Sequence, residues 1–143
     1  MTQFSRSIRT SATGSGVAAV ELIAGASKSY KIREIGIAIV NATASTFALG
    51  RPAALGITPT SPVSLLSLLN SLTLSQAQLA VAWGTGPTIP SILSRQCSLA
   101  AVAGAERIWE FAAPGLFIPA GGSIILWTLS IVSIADVYFV IDE

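Results

Sequence analysis

Apolar and polar positions alternate with period two in a series of short runs, and Gly, Pro, Asn and Ser separate those runs. That pattern predicts strands, since successive side chains of a strand point to opposite faces. Tyr30–Val40 (YKIREIGIAIV) is the clearest case: Ile35, Ile37 and Ile39 alternate with Gly36, Ala38 and Val40. The second set is small but still apolar, which predicts a strand covered on both faces, by a facing sheet and by a neighbouring subunit. Ser123–Ser130 (SIILWTLS) reads the same way. Ile32 has the opposite parity to Ile35, so a bulge or an end of pairing is expected near Arg33.

Further strands are expected at Val17–Ala24, Phe47–Gly50, Gln76–Trp83, Arg95–Val102, Arg107–Phe111, Gly115–Ile118 and Asp136–Ile141. About nine short strands with regular turns and one long connection predict an all-β fold, an antiparallel β-sandwich of jelly-roll type. Residues 1–15 are polar and rich in Ser and Thr, and they read as an N-terminal arm with a short strand around Phe4–Ile8; residues 16–143 form the single domain. The connection 51–75 carries Pro52, Pro59 and Pro62. Within it Leu65, Leu68, Leu69 and Leu72 fall at i, i+3, i+4 and i+7, one face of a short helix with Ser64 as N-cap; the other reading is an irregular apolar loop. A connection this long with so many leucines is expected to touch a partner.

Composition sharpens that expectation. The chain has 143 residues, of which 52% are hydrophobic and only 10% charged, against roughly 25% charged in average soluble proteins. Mean hydropathy is +0.71 and the mass 14.7 kDa. A monomer of this size needs polar cover, so much of the surface is expected to be buried against copies of the chain or a partner assembly. A membrane is not the expected environment: the apolar stretch Phe111–Leu129 is broken by Pro114, Gly115, Pro119, Gly121 and Gly122, and strands apolar on both faces do not suit a wet-lumen barrel. The start, MTQFSRSIRTSATGSG, lacks the apolar core of a signal peptide. Net charge is +1 with eight scattered Lys and Arg, which supplies no phosphate-binding cluster for nucleic acid.

Candidate chemistry is sparse. There is no histidine and one cysteine, Cys97, read as a buried structural thiol, so no imidazole-based triad, imidazole metal ligand or CxxC pair exists. Gly84-Thr85-Gly86 and Gly14-Ser15-Gly16 lack the lysine of a phosphate loop. Glu106 and Glu110 share a strand face and read as rim charges beside Trp109; Lys28 next to Ser27 and Ser29 is a poor dyad. No catalytic residue, metal ligand or cofactor is expected, and the chain does not read as an enzyme. Trp83, Trp109 and Trp127 could stack on sugars, but only two asparagines accompany them, so core or subunit contact is the expected role.

Three segments carry a resemblance: Tyr30–Pro52 (YKIREIGIAIVNATASTFALGRP), Val81–Pro87 (VAWGTGP), and the ending Ile118–Trp127 with Ala135–Glu143. They resemble the jelly-roll decoration, or cement, proteins of bacteriophage heads, with head-fibre and tail proteins as relatives in style. The resemblance implies a homotrimer on the capsid surface, docked on the major capsid protein. It implies capsid contacts from the arm (Phe4, Arg6, Ile8, Arg9) and the leucines of the connection (Leu65, Leu68, Leu69, Leu72), with Ile35, Ile37, Ile39, Trp109 and Trp127 as trimer contacts. The alternative is a receptor- or carbohydrate-binding domain of a head fibre or tail.

Overall fold

The computed structural model describes residues 2–11, 14–69, 72–130 and 134–143. Thirteen strands and no helix occur among them. In chain order they are β1 (Gln3–Arg9), β2 (Val17–Ile23), β3 (Tyr30–Ile39), β4 (Ser45–Gly50), β5 (Ile57–Pro59), β6 (Val63–Ser67), β7 (Leu74–Ala80), β8 (Trp83–Thr85), β9 (Arg95–Leu99), β10 (Glu106–Glu110), β11 (Leu116–Ile118), β12 (Ser123–Thr128) and β13 (Ala135–Asp142). The expected strands are present, including the short one around Phe4–Ile8 as β1, and β5, β6 and β8 are additional.

Eight of these strands form a nested set of antiparallel pairs: β1 with β13, β2 with β12, β3 with β10, and β4 with β9. First pairs with last and second with next to last, as in a long hairpin rolled up on itself. Two further pairings, β13 with β3 and β12 with β4, join them into two four-stranded sheets. The sheet orders are β1-β13-β3-β10 and β2-β12-β4-β9. This is the jelly-roll arrangement. The hairpin β6-β7 pairs with β1 on one side and β2 on the other, so the sheets are continuous along that flank. On the opposite flank β9 and β10 are unpaired edges. There Arg95 reaches across, donating to the Glu110 carbonyl at 3.2 Å and stacking its guanidinium 4.5 Å from the Phe111 ring centroid.

Side-chain parity explains the core. Val137, Phe139 and Ile141 of β13 and Ile35, Ile37 and Ile39 of β3 point inward with Leu22, Phe47, Leu49 and Leu126 of the other sheet. The slip expected at Arg33 is found there. Glu34 pairs with Val140 and Ile32 with Ile141, leaving Arg33 as the extra residue, so Tyr30 and Ile32 stay inside despite their opposite parity. Arg33 also gives its guanidinium to Asp142.

Four expectations change. Residues 3–9 are not a detached arm: β1 pairs with β13 over seven positions, and Phe4 is buried. No helix spans Leu65–Leu72: Leu65 lies in β6, because pairing with β1 and β7 outweighs the helical spacing. Residues 70 and 71 of that stretch lie outside the described residues. Third, Ser123–Thr128 is covered on its outward face by the chain itself: Trp83, Ile89 and Leu93 pack on Ile125 and Trp127, making a second small core. Finally, the second face of β3 is covered at Gly36 by Tyr138, whose ring occupies the space a Cβ would need, 1.9 Å away. The surface of 6834 Å² is then ordinary for the mass, about 6,900 Å² by the usual scaling. Part of the charge deficit is absorbed by a sheet buried on both sides.

Candidate interaction surfaces

The uncharged stretch 52–94 extends past the connection expected at 51–75; it holds the hairpin β6-β7 and, on either side of it, the segments 52–62 and 81–94, which pair through β5 and β8 and form a lid. The lid is tied down by Trp83, which donates its indole N–H to the buried Glu21 carboxylate at 2.7 Å. The hairpin β6-β7 is built into the sheet between β1 and β2. Its last cross-strand pair is Leu66 with Leu74, and beyond it the Ser67 N–H donates to the Thr73 carbonyl at 3.0 Å and the Leu68 N–H to the Gln3 carbonyl at 2.9 Å. Leu68, Leu69 and Leu72 are 55%, 87% and 89% exposed. From Pro52 to Ser94 the sequence has no Asp, Glu, Lys or Arg. That stretch holds eight of the twelve exposed large hydrophobic residues among those described, so the exposed apolar side chains are concentrated in one uncharged run of sequence.

The outer face of the β1-β13-β3-β10 sheet has the opposite character. Register sets its rows: Arg9, Asp136, Ala38, Glu106; then Ser7, Tyr138, Gly36, Ile108; then Ser5, Val140, Glu34, Glu110. Tyr138 lies across Gly36 and donates its hydroxyl to Glu34. An open trough of about 670 Å³ runs from Leu68 past Gln3, Val140 and Glu34 to Phe111. A hollow of about 100 Å³ lies on the far side of Tyr138, by Ala38 and Ile108. The hydrogen bond to Glu34 pushes the Tyr138 phenol up to about 12, helped by burial and by the charges of Glu34, Glu106 and Glu110. Because the folded-state value is raised, the stability this contact lends is complete below the ordinary tyrosine value and fades as pH rises through 12. An absorbance titration of Tyr138 should therefore show ionisation near pH 12, and Glu34→Gln should move it down toward the usual value of about 10. An unmoved titration would contradict the assigned cause.

The expected site residues divide sharply. Among the capsid-contact candidates, Phe4 and Leu65 are interior and Ile8 packs against the core. Arg6 donates to the Ser64 carbonyl at 3.0 Å, and Arg9 forms a two-point pair with Asp136 at 2.7 and 2.8 Å. Among these candidates Leu68, Leu69 and Leu72 are the exposed apolar side chains. The trimer-contact candidates Ile35, Ile37, Ile39, Trp109 and Trp127 are all buried within the protomer, so their side chains are not available to a neighbour. The Trp127 indole donates to the Gly50 carbonyl at 3.2 Å. With Trp83 turned onto Glu21, no tryptophan forms an open stacking platform.

The remaining candidates stay apart from chemistry. Glu106 and Glu110 do share the exposed face of β10. Lys28 pairs with Glu143 at 3.8 Å and Ser27 bonds Gln76, so the two do not form a dyad. Burial raises the Cys97 thiol, which makes it a poor nucleophile. Among the described residues no cluster of His, Cys, Asp and Glu is arranged to hold a metal, and no helix is long and apolar enough to cross a membrane. Sequence reasoning missed the group around Tyr138. The signal was the parity of ADVYFVI, which sends Asp136 and Tyr138 outward together.

No protein-family model, no curated protein and no solved structure matches the chain.

Proposed function

We propose that this chain is a structural virion protein: a decoration, or cement, protein that sits as a homotrimer on the surface of an icosahedral bacteriophage head, against the major capsid protein. The observation that carries the reading is the leucine hairpin, exposed on a connection without a single charge from Pro52 to Ser94. Such a surface can be desolvated without stripping water from ions, the costly part of burying a contact. The jelly roll is an architecture that viral capsid domains use, and the three segments noted above resemble those of head decoration proteins. The mechanism is linkage: a protein that binds the assembled lattice and not its free subunits stabilises the lattice by mass action. The alternative role in sugar binding loses its support, because Trp109 and Trp127 are interior and Trp83 is held by Glu21.

Imaging of intact particles that contain the protein tests this reading. Density for it is expected on the head, at three-fold positions. Finding it on a fibre or tail tip, or not on the particle, overturns the proposal.

A further inference from the structure

Two oppositely charged surfaces lie side by side on this chain, and neither is fully neutralised within it. The first is the outer face of the β1-β13-β3-β10 sheet, with the carboxylates Glu34, Glu106, Glu110 and Asp136. Asp136 is paired with Arg9. Glu34 and Glu110 stand directly opposite each other across β3 and β10, a like-charge pairing that destabilises a sheet. Glu106 and Glu110 form no side-chain hydrogen bond or ion pair with any described residue.

The second surface is the unpaired flank between β9 and β10. It carries Arg51, Arg95 and Arg107. Arg51 donates to the Phe117 carbonyl at 2.7 Å and Arg95 to the Glu110 carbonyl, while the charge of Arg107 acts across the flank on Cys97. None of the three is ion-paired with a carboxylate among the described residues. Beside them Ile92 and Phe117 are exposed, next to a hollow of about 210 Å³ lined by Arg51, Ile92 and Leu116. The two surfaces meet at β10, which gives Glu106, Ile108 and Glu110 to one and Arg107 to the other.

We propose that a second copy of this chain is the partner of both surfaces: the arginine flank of one copy docks on the carboxylate face of the next. The inference rests on the homotrimer of the proposed function and names its contact, in place of the buried isoleucines and tryptophans. Arginine is suited to the task, since its planar fork meets carboxylates at two points and it carries less tightly held water than lysine. Ile92 and Phe117 on one side, and Ile108 and Tyr138 on the other, supply apolar area. Docking would relieve the Glu34–Glu110 repulsion. Because the two patches differ, the contact is heterologous, and because they lie on adjacent sides each copy is rotated against the last; the homotrimer of the proposed function is the case in which that rotation closes after three copies.

Sedimentation of the intact protein with charge-reversal variants tests the contact. At low salt the wild type is expected to form a ring that weakens as salt rises. Glu106→Lys with Glu110→Lys, or Arg51→Glu with Arg107→Glu, should weaken association by about a hundredfold, with circular dichroism and melting temperature showing that each variant is folded. All four changes in one chain reverse Glu106 and Glu110 together with Arg51 and Arg107, and should recover part of the association lost in either pair alone. A monomeric wild type at micromolar concentration, or a ring indifferent to the reversals, overturns the proposal. So does a ring lost when Leu68, Leu69 and Leu72 become serine but kept through the reversals. A monomer that still binds head shells overturns this contact and leaves the decoration role standing. A charge-sensitive ring that never appears on a particle supports the contact and removes that role.

Discussion

Leu68→Ser, Leu69→Ser and Leu72→Ser combined in one chain are expected to abolish most binding to head shells while leaving the fold intact. The three side chains are largely exposed, so their loss removes little from the core. Burying a leucine is worth about 1.5–3 kcal/mol. Even with ordering costs deducted, three of them account for about 4 kcal/mol, or about a thousandfold in affinity. A binding curve on purified shells, beside a thermal melt of the free variant, measures both halves of the expectation. Equal affinity in variant and wild type would remove the hairpin from the docking surface. A much lower melting temperature would mean that these leucines support the protomer.

The largest loss of stability is expected from Trp127→Ala. Trp127 is fully buried between the β2-β12-β4-β9 sheet and the lid, in one cluster with Ala18, Ile125, Trp83, Ile89 and Leu93. Truncation leaves a cavity under the lid and takes the indole donor from the Gly50 carbonyl. Changes of this kind cost about 3–5 kcal/mol, a large share of the total of about 5–15 kcal/mol that holds a domain folded. Urea unfolding measures the loss. Limited proteolysis should show new cleavage between Pro52 and Ser94, because the lid rests on this ring. A loss below about 1 kcal/mol, with the lid still resistant, would contradict the two-core description.

The sequence carried the inner half of the fold clearly and the outer half poorly, for reasons visible at particular residues. The isoleucines of β3 alternate, and the change of parity at Ile32 demands a bulge; the structure has it at Arg33. The short strand around Phe4–Ile8 was legible, but its place in the sheet was not, because Ser5, Arg6, Ser7 and Arg9 give β1 the composition of an arm. Its place is set by a strand at the far end of the chain, a pairing that no local window contains. The leucines from Leu65 to Leu72 have helical spacing, yet the pairing of β6 takes Leu65 inward, while Leu68, Leu69 and Leu72 lie beyond the strand and are exposed. Two apolar faces on β12 were legible, but what covers the outer one was not. Trp83, Ile89 and Leu93 have no shared period, and only the folded chain brings them together. The carboxylate face is similar: Glu34, Glu106, Glu110 and Asp136 come from three strands, and register alone collects them.

The nested pairing also sets an order in time. Strand β4 can meet β9 early, whereas β1 must wait for β13, its partner over seven positions. On the ribosome the first strand therefore emerges long before its principal mate has been synthesised. Folds dominated by such distant pairings close slowly, so the newborn chain holds an unmatched edge until β13 has emerged.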